Sequence, residues 1–502
     1  MAKNASVDFA DMQGLLRFGY AKLTEASFLL LRIRDAAAAR AWLAAAPVST
    51  AEYQSPPPAA ALQIAFTSEG LRVLGLAGDV LAGFSAEFLA GMSSDRSRSR
   101  RLGDTGNNAP QYWQWGGAAR VPHVAAMLYA REGGLGAWTQ TVKGVGWDAA
   151  FEVMDCLPTS NLYGVEPFGF TDGVSQPTID WEQQHMMRDP NEPVLDYSNL
   201  VAPGEFLLGY PNEYYRYTDR PLLSDESEGA SILPGAEDRT GMRDLGRNGS
   251  YLVMRQLAQD VRGFWKFANG QANGDADERR QLAQAMVGRT LKGDPLAQAA
   301  ERPITGVDAE DAAQNGFTFD ADANGTRCPF GAHIRRANPR TNDLPGAENH
   351  LISKLVHTLG FEDGSFRDDV ISPTRFHRLL RRGREYGPGL TQQEALEPAP
   401  SDDPERGIHF ISLGANISRQ FEFVQSAWLM SSKFGGMTGE SDPLLGNREP
   451  ISGCPVTSGF SLPREGSAPR RLEGLPQFIA VRGGAYFFLP GIRALRYLAR
   501  ER

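Results

Sequence analysis

The sequence predicts an α+β protein made of two similar halves, each an antiparallel sheet with helices on one face. Three observations lead there. Short runs with strand alternation are followed by segments at helical spacing, and this cycle starts twice, near Phe28 and again near Tyr251. Between the cycles lies a stretch from Asn191 to Asn248 that is rich in Pro, Gly, Asp, Glu and Tyr and follows neither period. The chain, at 502 residues, is too long for one ordinary core, and its 41% hydrophobic and 10% aromatic content is enough to fill a large interior. The expected domains are residues 1–240 and 241–502.

In the first half, Phe28–Arg34 reads as a strand and Asp35–Leu43 as a helix with Asp35 placed to cap it. After the interruption at Pro47 and Pro56–Pro58, Leu62–Phe66 alternates as a strand, and Thr67 or Ser68 caps a helix over Glu69–Leu76. The arginines from Arg96 to Arg101, interleaved with serines, read as a solvated loop. Val121–Tyr129 and Val145–Met154 read as strands.

In the second half, Tyr251–Leu257 is a strand and Asp260–Ala268 a helix, followed by a polar helical stretch to Val287. Ile408–Leu413 is a strand and Arg419–Met430 an amphipathic helix. Phe478–Arg482 and Ala485–Leu489 form a strand pair or one bulged strand, and Ile492–Leu498 is a terminal helix.

A formal charge of −9 argues against a nucleic-acid polyanion as partner. No run of 18 apolar residues is present, and the opening residues MAKNASVDFADMQG lack the apolar region of a secretory signal. Cys156, Cys328 and Cys454 are too few and too far apart for a disulfide framework or a thiolate zinc cluster, which suits a reducing compartment. The expectation is a cytoplasmic protein with no membrane and no nucleic-acid partner.

Four segments carry chemistry. Cys328–Arg340, CPFGAHIRRANPR, sets His333 between a Cys-Pro-Phe-Gly turn and a basic segment that Asn338-Pro339 must end. Such a histidine is either a satisfied structural residue or a metal or haem ligand. Gly169–Pro177, GFTDGVSQP, holds Asp172 between glycines. This is either an ordinary Asp-Gly turn or a place where a planar cofactor lies against the main chain, beside Gly173. In Phe376–Gly387, FHRLLRRGREYG, Arg381 and Arg382 are helix-surface charges or, turned inward, a permanent cation. In Ile408-His409-Phe410, alternation puts Ile408 and Phe410 on one face and His409 on the other. Phosphate-binding glycine loops, a GxSxG elbow and HExxH are all absent.

Taken together, GFTDG at Gly169–Gly173, CPFGAHIRRANPR at Cys328–Arg340, LLRRGREYG at Leu379–Gly387 and GIHFISLGANISRQFEFVQ at Gly407–Gln425 resemble the dye-decolorizing peroxidase family, in its longer members. The similarity runs over most of the chain, with the segments in family order. It implies two ferredoxin-like α+β domains with antiparallel sheets and peripheral helices, and one haem b per chain in the second. By that resemblance His333 is the iron ligand, Asp442 in GESDPLLG is the carboxylate bonded to its imidazole, and Asp172 reaches the opposite side. The family's arginine falls on Arg381, with Arg382 as the adjacent alternative, and Ile408 and Phe410 match the apolar positions that shape peroxide access.

The implied reaction uses hydrogen peroxide to oxidise dyes, phenols or other small aromatic one-electron donors. Asp172 shuttles the proton and Arg381 stabilises charge on the bound peroxide. The alternative is a haem-binding or haem-handling protein with incidental peroxidase activity. Self-association is left open.

Overall fold

The computed structural model describes residues 7–184, 197–301, 303–340, 373–449 and 457–500. Nine strands form its main sheet: β1 Glu25–Ile33, β2 Ala60–Phe66, β3 Val124–Ala130, β4 Phe151–Pro158, β5 Ser250–Gln259, β6 Leu380–Arg381, β7 Arg384–Tyr386, β8 Gly407–Gly414 and β9 Ile479–Leu489. Their order is β6-β8-β5-β9-β2-β3-β1-β4, with β7 also paired to β8, and neighbours are antiparallel throughout.

Strands β1–β4 and β5–β9 are therefore two half-sheets side by side. They join where β2 meets β9, at the single register pair Phe66 and Phe488. The Gln13 side chain spans this seam, donating to the carbonyls of Ile64 at 2.8 Å and Pro490 at 2.9 Å and accepting from Ile64 N–H at 2.8 Å.

Strand alternation sorts the core into two layers. Leu29, Leu31, Leu62, Ile64 and Phe66 pack on one face with Leu43 and Trp42 of the helix Ala36–Ala45, which Asp35 caps through Ala38 N–H. Phe28, Leu30, Ala61 and Ala65 face the other side. There the cover comes from the long aperiodic connection, through Val201, Phe206, Leu207 and Tyr210, and from the N-terminal residues Met12, Leu15 and Leu16. The sheet is thus buried on both faces, where the sequence suggested helices over one.

Four local expectations are corrected. Arg96–Leu102 is a helix capped by Asp95, not a loop; Arg98 is buried against Glu422 at 2.8 Å, so one arginine of the run faces inward. Val145–Met154 begins as a helical turn, Trp147–Ala150, because Gly144 and Gly146 both take positive φ and break the extended chain. The helix expected over Glu69–Leu76 stops at Val73, before Gly75 at φ +97°. Arg419–Met430 winds as two π-helical segments, Ser418–Glu422 and Val424–Leu429, a wide form often found beside functional sites.

Phe478–Leu489 is a single bulged strand from Ile479, with its register shift between Val481 and Gly483. Cys328 is buried and Cys156 exposed, both unpaired; Cys454 lies outside the described residues. Among the described residues no helix is long and apolar enough to cross a membrane.

Candidate active site

His333 opens a five-residue helix, His333–Ala337, that ends where Asn338 leaves helical geometry before Pro339. The arginines that follow it, basic in sequence, point into the protein. Arg335 donates to the Cys328 carbonyl at 2.7 Å and to Asp322 at 3.2 Å, and Asp322 also accepts Cys328 N–H at 2.8 Å. Arg336 donates to the carbonyls of Trp428, Glu440 and Ser431. Both guanidinium groups are fully buried and bind the short helix to its surroundings, which fixes the ring of His333.

The Nδ1 of His333 meets Asp442 Oδ2 at 2.9 Å, leaving Nε2 as the free ring nitrogen of a residue that lines the central cavity. Asp442 is fully buried, and its other oxygen accepts N–H from Leu444 at 2.9 Å and Leu445 at 2.8 Å. Burial opposes charge on both partners. For Asp442 it is outweighed by His333, Arg336 and the Leu445 N–H, and the carboxyl is held below its ordinary range. For His333 it is outweighed by Asp442, and the imidazole is raised. A carboxylate in this place orients the ring and makes Nε2 a stronger donor to a metal.

Asp172 and Arg381 come together on the same cavity. Arg381 Nη1 lies 3.3 Å from Asp172 Oδ1, its Nη2 donates to the Ser175 carbonyl at 2.9 Å, and its backbone N–H donates to Gln176 Oε1 at 3.0 Å. Arg382, on the opposite side of the strand, donates instead to the carbonyls of Leu15 at 2.8 Å and Leu16 at 3.4 Å, away from the cavity. The two arginines belong to β6 and its turn rather than to a helix surface. Gly169 and Gly173 take φ of +98° and +76°. Gly173 is not part of the cavity wall; its N–H bonds the Asp172 carboxylate at 2.6 Å, so its contribution is to the turn.

Ile408 and Phe410 line the cavity from β8, opposite Leu257 and Arg255 of β5. His409 faces away, stacked on Tyr386 at 4.5 Å and donating from Nε2 to the Pro158 carbonyl at 3.0 Å. Burial pushes its imidazole down to about 4. A histidine in the unfolded chain protonates near 6.5. Between those values the unfolded state binds the extra proton, so stability falls as the pH drops, by at most about 3 kcal/mol from this group. Thermal melts at pH 7 and pH 4.5 are expected to show a smaller acid loss for His409→Gln than for the parent. Equal losses would assign the acid sensitivity elsewhere.

The cavity measures about 310 Å³. Its apolar lining includes Ile334, Leu429 and Leu444 near His333, and Leu257, Ile408 and Phe410 on the sheet. Arg289 and Arg378 also line it. Arg289 donates to the carbonyls of Gly293 and Gln314, and Arg378 to that of Ser198 at 3.1 Å, while Arg378 Nε is buried without a hydrogen-bond partner among the described residues. No carboxylate among the described residues forms an ion pair with either. Burial, with Arg340 and Arg381 nearby, pushes Arg289 down to about 10. Apolar walls, one free imidazole nitrogen and uncompensated cations fit a flat metal-bearing macrocycle with anionic side groups, and so fit haem.

Sequence reading did not find Arg289 and Arg378, nor the polar residues Arg255 and Gln259 that β5 turns toward the cavity. The signal for the last two was available: Arg255 and Gln259 are four apart in the strand run YLVMRQLAQ and so share one face with Leu257.

An imidazole backed by a carboxylate and a carboxylate paired with a guanidinium thus share one largely apolar cavity of an α+β protein. No family model matches the chain. Relatives do: dye-decolorizing peroxidase msp1 of Mycetinis scorodonius is 29% identical over 520 residues, covering 99% of this chain and 88% of that protein. The multifunctional dye peroxidase DyP2 of an Amycolatopsis species is 31% identical over 356 residues, 68% of this chain and 62% of that protein. The crystal structure of a fungal DyP-type peroxidase from Auricularia auricula-judae superposes with a TM-score of 0.70 at 25% identity, covering 99% of this chain and all of the other. The chain is homologous in sequence and structure, over its full length, to the DyP-type dye-decolorizing peroxidases and matches their long-chain subfamily.

Proposed function

We propose that the chain is a haem-dependent peroxidase that uses hydrogen peroxide to oxidise dyes, phenols and other small aromatic donors. The observation that supports this most directly is the Asp172–Arg381 pair facing the same cavity as His333–Asp442. Storage or transport of haem needs a ligand, but no proton carrier beside a fixed cation.

His333 would hold the iron of one haem b per chain through Nε2, with Asp442 keeping the ring oriented. Arg289 and Arg378 would meet the anionic side groups. When bound, haem supplies the metal centre that accepts peroxide oxygen and the electrons that reduce it. Asp172 takes the proton from one peroxide oxygen and returns it to the other, which leaves as water. Arg381 donates toward the negative charge that develops as the O–O bond lengthens; its three hydrogen-bond contacts, to Asp172, Ser175 and Gln176, hold it in place beforehand. Ile408 and Phe410 give the same cavity an apolar wall, and the pair itself is half-buried. A cytoplasmic location goes with this reading, on three widely spaced cysteines.

The test is a visible spectrum of the purified protein before and after peroxide, with 2,6-dimethoxyphenol as donor. A Soret band that changes with peroxide and recovers as the phenol is oxidised is expected. A colourless protein, or a coloured one inert to peroxide, would overturn the proposal.

A further inference from the structure

Besides Asp172 and Asp104, which is paired with Arg255, the cavity wall contains the carboxylate of Glu166, six residues before Asp172, to which the reaction above gives no part. Glu166 sits at the centre of the loop that ends in Asp172 and receives three hydrogen bonds. Oε1 accepts Phe170 N–H at 3.0 Å, and Oε2 accepts Phe168 N–H at 3.0 Å and the Gln259 amide at 2.8 Å. The backbone of the same loop closes around it: Glu166 N–H bonds the Phe170 carbonyl at 2.9 Å, Gly169 N–H the Glu166 carbonyl at 2.8 Å, and Asp172 N–H the Gly164 carbonyl at 3.0 Å. The loop is held from outside by Trp265, whose indole donates to the Phe168 carbonyl at 3.0 Å, and by Phe264, against which Phe168 and Phe170 pack.

Two features set Glu166 apart from an ordinary turn residue. Three donors converge on one side chain, and only a carboxylate offers enough acceptor sites with no donor of its own. Its tie to Gln259 also reaches β5, the strand whose Leu257 lies opposite Ile408. The loop bearing Asp172 and the apolar wall beside it are therefore referenced to the same strand. Burial, with Asp172 adding to it, pushes the Glu166 carboxyl up to about 7, so holding this group beside Asp172 opposes its charge and is a feature the fold maintains against a cost.

We infer that Glu166 is a positioning residue for the peroxide reaction, acting through Asp172: with Gln259 it fixes the loop that aims the Asp172 carboxylate. This inference rests on the proposed peroxidase reading.

The experiment compares the parent, Glu166→Gln, Asp172→Asn and the double variant, each loaded with haem, by stopped-flow mixing with hydrogen peroxide. Glu166→Gln keeps the shape but sets an amide donor against donors. It is expected to slow the reaction about ten- to a hundredfold, with haem content and Soret position unchanged. In the Asp172→Asn background the same change is expected to add less than about twofold, as for residues acting on one step. Equal losses in both backgrounds would overturn the inference.

A second arm uses the haem-free protein. Amide exchange in peptides covering 164–173 should quicken at least about fivefold in Glu166→Gln, while the helix Val261–Gln271 stays as in the parent. Unchanged exchange in the loop would likewise overturn it. Should Glu166→Gln fail to fold, Gln259→Leu removes one of the three donors and must move both readouts the same way. A parent protein that binds no haem or ignores peroxide would sink the proposed function instead, and the exchange arm would still decide the loop's dependence on Glu166.

Discussion

His333→Ala is expected to purify almost free of haem while remaining folded. The described part of the cavity offers apolar contacts and cations around a cofactor, but the only imidazole backed by a carboxylate there is that of His333. Removing it takes away the imidazole nitrogen proposed to hold the iron and, among the described residues, leaves the fully buried Asp442 carboxylate with the N–H groups of Leu444 and Leu445 as its hydrogen-bond donors. The second effect destabilises the apoprotein by about 1–3 kcal/mol, as for a buried polar group that loses its partner. The ratio of Soret to protein absorbance measures haem content, and circular dichroism checks the fold. Full haem occupancy with an unmoved Soret band in this variant would remove His333 as the ligand.

Asp172→Asn should keep its haem and lose reactivity toward peroxide by about a hundred- to ten-thousandfold, the usual range for removing a general acid–base group. Asparagine keeps an oxygen where Arg381 Nη1 now meets the carboxylate at 3.3 Å, so the cation stays near its place. What is lost is a site that can take a proton and give it back. Stopped-flow spectra under excess peroxide measure the step directly, and a rate within threefold of the parent would rule out proton transfer by Asp172. The two variants separate the halves of the proposal: one tests the grip on the cofactor, the other the chemistry opposite it.

Much of this was legible in the residues, for reasons that differ by position. Strands β1, β2, β5 and β8 announce themselves as short runs rich in apolar residues, alternating most clearly in Ile408–Leu413, and Asp35 and Asp260 mark the helices that follow β1 and β5 by capping them. The two-face burial of the sheet was not visible, because the connection that covers its second face has no period. What makes Val201, Phe206 and Tyr210 a lid for the core is where the chain runs, not how it alternates.

The arginine pairs show the limits most clearly. Arg335 and Arg336 look like solvated charge and are among the most deeply buried side chains, satisfied by carbonyls that come from residues 322–328 and 428–440. Arg381 and Arg382 look equivalent, yet one ends a two-residue strand and the other starts its turn, and they point in opposite directions, one to the cavity and one to the N-terminal segment. The wide winding of residues 418–429 was equally hidden, since its apolar spacing also suits an ordinary helix.

The amide of Gln13 has a consequence for how the molecule comes into being. One of the carbonyls it clasps belongs to Pro490, 477 residues downstream, and Arg493 likewise returns to Asp8 and Asp11. On the ribosome the residues around Gln13 must wait for Pro490 and Arg493 to be made before they find these partners. The Gln13 segment is therefore a latch set late, and until then the nascent polypeptide carries an unclosed sheet margin that is exposed to misassociation.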